Sequence, residues 1–231
     1  MSTEEIYSSI GENCLGQHIL DRKKMRSSLN PFSWVRSNID YINQIVDEDF
    51  EDFLNPQYVQ YRERWGKNTP TNSKYTCATG VFEGTVSNEF EFTHHDVIGS
   101  EEHRNSYLRK TDRFRELVCS DNPIVFLYHH RIRSKANHPY IFEQLDKFIE
   151  LIQSKRTAPA YCLCFTQVLV QDDSDRRVEF SRRGQTNFAS LYTRNIWGGA
   201  DADIFWGISD DDLLDEMFKI DRQTRESVLR S

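Results

Sequence analysis

Positions 123–128 read Pro-Ile-Val-Phe-Leu-Tyr, an apolar run without a break. A short continuous run of this kind is a strand buried on both faces. Such strands belong to parallel sheets that carry helices on each side. The stretch 161–170 repeats the signature. Between the two, Tyr140, Phe142, Leu145, Phe148, Ile149 and Ile152 recur at helical spacing after Asn137-His138-Pro139. At the amino end, Ile6, Tyr7 and Ile10 suit a strand, and Leu15, Ile19 and Leu20 then recur at helical spacing. Strand and helix alternate along most of the chain. The expected fold class is therefore α/β: a three-layer, partly parallel sheet with helices on both faces.

One segment breaks the alternation. Residues 75–82 and 88–92 read as two strands with a turn near 83–85, a β-hairpin inserted into the α/β framework. Before it, 58–66 is aromatic and charged, and 67–73 is a polar loop containing Pro70. Ile39, Ile42, Ile45 and Val46 mark a helix that Ser37 is placed to cap, and Ser100 begins another. A last helix spans 209–220, with Ser209 as its cap. Residues 221–231 read as a frayed tail. The expectation is a single α/β domain over 1–220.

A chain of 231 residues, 38% hydrophobic and 13% aromatic, can bury a substantial core. Its net charge of −7 argues against a general nucleic-acid partner. No apolar run is long enough to cross a bilayer, and 1–5 lack the basic region and apolar core of a signal peptide. Neither nucleic acid nor membrane is expected as a partner. The five cysteines, Cys14, Cys77, Cys119, Cys162 and Cys164, are odd in number and form no metal knuckle. Neither a metal nor another cofactor is expected, and a reducing, cytoplasmic location follows.

The stretch with the most chemistry is Ser-Ser-Ile-Gly-Glu-Asn-Cys at 8–14. It reads as a strand end, a turn at Gly11, and Asn13 as the cap of a helix with Cys14 in its first turn. Helix amino ends favour anions, and a cysteine there can be activated as a thiolate. The plain alternative is a small residue packed in a tight βα turn.

Three motifs stand in a fixed order: 9–14, then Arg-Ser-Ser-Leu-Asn-Pro-Phe-Ser-Trp at 26–34, then Phe-Thr-His-His-Asp at 92–96. Together they resemble a domain family of unknown function labelled "putative papain-like cysteine peptidase", over roughly residues 5–170. Its members carry a Ser-Leu-Gly-x-x-Cys-like start, a Pro-Phe-Asp-Trp-like element and a His-Asp element. Ser33 stands where the family's acid is expected. The resemblance implies a cysteine nucleophile at Cys14 and a base at His94 or His95, and it favours Trp34 lining a pocket beside the thiol. A papain-type fold would put the cysteine on a helix and the histidine on an antiparallel sheet. The strand–Gly–Cys–helix start also resembles the nucleophile turn of SGNH-type esterases, with cysteine in place of serine.

A histidine can take the proton of a thiol, and an acid can fix its tautomer. If 92–96 is extended, His94 and His95 point to opposite faces. Asp96 is the adjacent acid; Asp201 or Asp203 is the alternative orienter. A second cluster, His129-His130-Arg131-Ile132-Arg133, ends the central strand. In open α/β sheets, sites gather at the carboxyl ends of strands, so this cluster meets Cys14 if the two strands are neighbours. Arg131 and Arg133 suit a carboxylate or phosphate. Two active readings follow. One is a thiol-dependent hydrolase or acyltransferase: Cys14, His94, His95 and Asp96 supply the catalytic groups. Gly11, Asn13, Trp34, His129, His130, Arg131 and Arg133 line a site for a small-molecule, peptide or glycan substrate. The other is a glycan-modifying enzyme, such as a glycosyltransferase, using the arginines for a donor phosphate with Asp201 or Asp203 assisting. A non-catalytic binding module is the third reading.

Overall fold

The computed structural model describes residues 5–64, 66–82, 84–131, 137–198 and 201–229. The main sheet has five strands: β1 (Ile6–Ser9), β5 (Ile124–His129), β6 (Ala160–Leu169), β8 (Thr186–Thr193) and β7 (Arg177–Arg183), in that spatial order. β1, β5, β6 and β8 are parallel; β7 pairs antiparallel with β8 at the edge. The expected α/β class and partly parallel sheet are what the protein adopts.

The apolar run of β5 supplies both faces. Ile124, Phe126 and Tyr128 point into the core beneath α2 (Ile39–Asp47), α3 (Glu101–Val118) and α4 (His138–Gln153). Val125 and Leu127 point the other way, against α1 (Leu15–Arg22) and α6 (Asp211–Leu229). Period-two alternation in one strand thus builds two cores. The larger core is an aromatic cluster. Phe32, from the 26–34 motif, lies 5.8 Å from Phe50 and 5.7 Å from Phe114, centroid to centroid.

The inserted hairpin exists, but other residues make it. β2 (Val59–Arg64) and β3 (Lys67–Asn72) pair antiparallel, and the two-residue β4 (Phe90–Glu91) joins β3. These strands carry charge instead of apolar alternation, and Pro70 in β3 speaks against a strand. Ion pairs support them instead: Arg62 Nε lies 3.3 Å from Glu89 Oε1 and Arg64 Nε 3.0 Å from Glu91 Oε1. Residues 75–82 are irregular. Their backbone finds partners on α2 side chains: Thr76 N donates to Gln44 Oε1 (3.2 Å) and Ala78 N to Asp40 Oδ2 (2.8 Å). Tyr75 and Phe82 are buried for packing, which accounts for their strand-like pattern.

Two helix boundaries also differ. Asn38, not Ser37, caps α2 through Tyr41 N. α6 starts at Asp211 and continues through the stretch expected to fray, as far as Leu229. Arg225 explains its order. It is 2% exposed, its Nη2 lies 2.8 Å from Asp221 Oδ2, and it also pairs with Glu5 of the amino-terminal segment. A short α5 (Ala202–Phe205) precedes it. No described helix is long and apolar enough to cross a membrane.

Candidate active site

β1 and β5 are neighbours, so the turn at 10–14 and the end of β5 meet at the carboxyl edge of the sheet. The amino-terminal turn continues to track β5 beyond the strand: Ile10 N donates to Leu127 O (3.0 Å) and Glu12 N to His129 O (3.3 Å). Gly11 is needed for closeness. A Cβ there would lie 2.9 Å from His129 N, which is backbone and cannot swing aside. Gly11→Ala is therefore expected to lower stability by about 1–3 kcal/mol, the usual cost of overpacking, read as a shift in the urea midpoint.

Glu12 is fully buried and gathers three partners from β5 and its exit. Its Oε1 accepts from Tyr128 Oη (3.0 Å) and lies 2.7 Å from His130 Nδ1, and its Oε2 accepts from Arg131 N (3.1 Å). Tyr128 Oη in turn accepts from Ile39 N at the head of α2 (3.2 Å). The turn before the cysteine is thereby fixed to three other segments. The 26–34 motif holds it from another side: Asn30 Nδ2 donates to Ser8 Oγ (2.6 Å) and Ser9 O (2.9 Å). Ser33, the departure from the family pattern, is buried and accepts from Asn30 N through its hydroxyl (3.1 Å). It closes a turn and does not reach the cavity described next.

Cys14 occupies the cap position of α1, one residue before the place expected from the sequence. Asn13 still serves the helix end: its Oδ1 accepts from Leu15 N (3.0 Å). The half-buried cysteine borders a cavity of about 530 Å³, a size suited to a small ligand. Asn13, Arg36, Thr93, His94 and Arg131 are polar residues of its lining. Trp197, Phe205 and Trp206 supply an aromatic side, with Trp206 stacked on His18 of α1 at 4.1 Å.

The electrostatics of the pair are consistent with each other. Burial pushes the Cys14 thiol above its ordinary pKa, and a backbone hydrogen bond and the Arg36 guanidinium counter this only in part. Burial, then Arg36, pushes the His94 imidazole below its ordinary value, although the residue is exposed to solvent. A protonated thiol and a neutral imidazole thus share the cavity at neutral pH. Trp34 packs its ring on His94 edge to face, 6.2 Å between centroids.

The other sequence candidates lie elsewhere. Residues 93–96 form no strand. His95 packs against His103 and Tyr107, and burial followed by Lys110 takes its pKa down to about 4. Asp96 closes its own loop, accepting from Gly99 N (2.8 Å), Ile98 N (3.2 Å) and Tyr61 Oη (2.8 Å). His129 is sealed below the cavity, stacked on Phe165 at 4.7 Å, and burial takes its pKa to about 3. His130 is equally buried and serves Glu12. Asp201 caps α5 through Asp203 N (2.9 Å). Arg133 lies outside the described residues. Arg36, Thr93, Phe205 and Trp206 were not singled out from the sequence. Arg36 had one signal, its place two residues beyond the Trp34 motif.

An open α/β sheet that carries a thiol at a helix start, with an imidazole just past a small antiparallel sheet, defines the class. The chain belongs to the family described as "putative papain-like cysteine peptidase", which matches residues 5–175. An uncharacterized protein of Acanthamoeba polyphaga mimivirus is 23% identical over 176 residues, covering 71% of this chain and 78% of that protein. No solved structure matches.

Proposed function

We propose that this protein is a thiol-dependent hydrolase or acyltransferase with Cys14 as nucleophile and His94 as base. The observation that carries the reading is the shared cavity: a thiol at a helix start and an imidazole from a remote segment border the same space. Cys14 Sγ attacks a substrate carbonyl carbon while its proton passes to His94. The carbonyl oxygen takes the negative charge, which the N–H groups at the start of α1 favour. The tetrahedral centre collapses to a thioester, and the leaving group departs with the proton held by His94. Water or an acceptor nucleophile then attacks the thioester, again with His94 as base, and the thiol is restored. Because the thiol is not ionised beforehand, proton removal and attack are linked, as in general-base catalysis. Trp34 orients the imidazole by its edge contact.

A test uses a small activated aryl ester and peptide mapping of the acyl adduct. Cys119 is a built-in control, since it is exposed whereas Cys14 is half-buried. The adduct is expected on Cys14 ahead of Cys119. Adduct on Cys119 first, with Cys14 unmodified, removes the proposal. The pH profile has a definite sign. Protonation of His94 sets the acid limb, which is expected below the ordinary imidazole value of about 6.5 because its pKa is lowered. The alkaline rise is expected to continue beyond the ordinary thiol value of about 8.5, because that of Cys14 is raised.

A further inference from the structure

The cavity carries more information than its reactive pair. Its charged lining residues are Glu12, Arg36 and Arg131, besides the titratable Cys14 and His94. Glu12 is committed to Tyr128, His130 and Arg131 N. The chain as a whole has a net charge of −7, so two arginines at one cavity run against the protein's overall field.

Arg36 is held in place. Its backbone N and O bridge Glu91 O and N (3.1 and 2.9 Å), and its Nη1 lies 3.4 Å from Glu91 Oε2. Glu91 is buried and also engages Arg64, so the acid that fixes Arg36 is itself fixed. A guanidinium positioned in this way is preorganised for an anion and loses little freedom on binding. The same cavity is lined by the aromatic residues Trp197, Phe205 and Trp206. Thr93, another lining residue, has its Oγ1 buried without a hydrogen-bond partner among the described residues, a polar group suited to an orienting contact.

We infer that the substrate is a small anionic acyl compound, its carboxylate or phosphate held by Arg36 with Arg131 adding charge, and its planar or apolar body against Trp197, Phe205 and Trp206. The acyl part rests on the thiol-hydrolase reading; recognition of the anion does not. Arg36 acts here as a substrate-binding residue rather than as an oxyanion donor, so its effect is visible in binding without turnover.

The test measures binding to full-length Cys14→Ala protein, which separates recognition from chemistry. The probes are N-acetylphenylalanine, its neutral carboxamide, and phenyl phosphate, titrated at up to millimolar concentration with Trp fluorescence or chemical-shift readout. At least one anion is expected to bind about tenfold or more tightly than the carboxamide, with the preference shrinking as salt is added. The stronger of the two anions identifies the source of the charge. Arg36→Gln is expected to erase the preference and Arg36→Lys to restore part of it. If Arg36→Gln does not fold because Glu91 loses a partner, the Arg36→Gln/Glu91→Gln pair is used. Equal binding of anion and carboxamide, no binding by either, or a preference that survives loss of the Arg36 charge overturns the inference. Failure of Cys14 acylation alongside a clear anion preference removes the hydrolase reading and leaves the anion site standing.

Discussion

Alanine at position 94 is expected to slow acylation of Cys14 at neutral pH by about 10²–10⁴-fold, the usual contribution of a positioned general base. The deficit is expected to close as pH rises, because a thiol that ionises on its own no longer needs the imidazole. Cys14→Ala is expected to abolish the fast acylation at every pH and to leave only the slower adduct on exposed Cys119. The two variants separate two causes. A merely structural loss at His94 would depress acylation equally across the pH range, whereas loss of a base gives a gap that narrows toward alkaline pH. Stopped-flow release of the aryl alcohol from an activated ester, over a pH series, reads the difference. A parallel offset between His94→Ala and the unsubstituted protein would count against His94 as base. His95→Ala serves as the comparison: that ring packs on Tyr107 and His103, so the expected rate change is small.

Glu12→Ala carries the largest expected effect on stability. The substitution strands two buried groups, Tyr128 Oη and His130 Nδ1, and removes the acceptor of Arg131 N on an exposed residue. An unsatisfied buried polar group costs about 1–3 kcal/mol, so a total near 3–5 kcal/mol is expected for the two buried groups together with the lost acceptor of Arg131 N. In a chain of this length that corresponds to a Tm lower by roughly 6–20 °C. Glu12→Gln is expected to cost less, about 1–2 kcal/mol, because one amide oxygen still accepts while the NH₂ meets another donor. Calorimetry of both variants gives the ordering. If Glu12→Ala melts within a degree or two of the unsubstituted protein, water has replaced the carboxylate, and the turn before Cys14 is not anchored as described. Because that turn leads directly into Cys14, loss of Glu12 is also expected to loosen the placement of Cys14 and lower its acylation.

What could be read from the sequence followed from burial. The apolar run of β5 announced a parallel strand covered on both faces, and its neighbours followed from period and spacing. The meeting of Cys14 with the end of β5 was conditional on strand order, which no local pattern encodes. The hairpin was misplaced because β2 is charged and β3 polar, with Arg–Glu pairs tying β2 to the β4 segment in place of apolar alternation. The residues at 75–82 looked like a strand because Tyr75 and Phe82 are buried, yet α2 side chains satisfy their backbone. At the cavity, the nucleophile candidate was visible from a glycine turn and a helix start. Arg36 had only its nearness to the 26–34 motif as a signal, and Phe205 and Trp206 had none, because they arrive through tertiary contacts. Arg131 could be named as a candidate, but its neighbours in space could not. Glu12 was legible only as a turn residue; its three partners lie more than a hundred positions away.

The helix that begins at Cys14 is braced by the far end of the chain. Arg22 Nη1 donates to Trp206 O (3.0 Å) and Arg22 Nη2 lies 2.6 Å from Asp211 Oδ1, contacts that span 184 and 189 positions. Chains are made from the amino end, and their parts fold as they emerge. Cys14 is therefore translated long before the aromatic side of the cavity it borders. A nascent chain still lacking residues 197–211 holds the sulfur and the imidazole but no finished enclosure for a substrate. The cavity side built by Trp197, Phe205 and Trp206 is therefore made well after the turn that carries Cys14, and the enclosure forms later than the thiol's own surroundings.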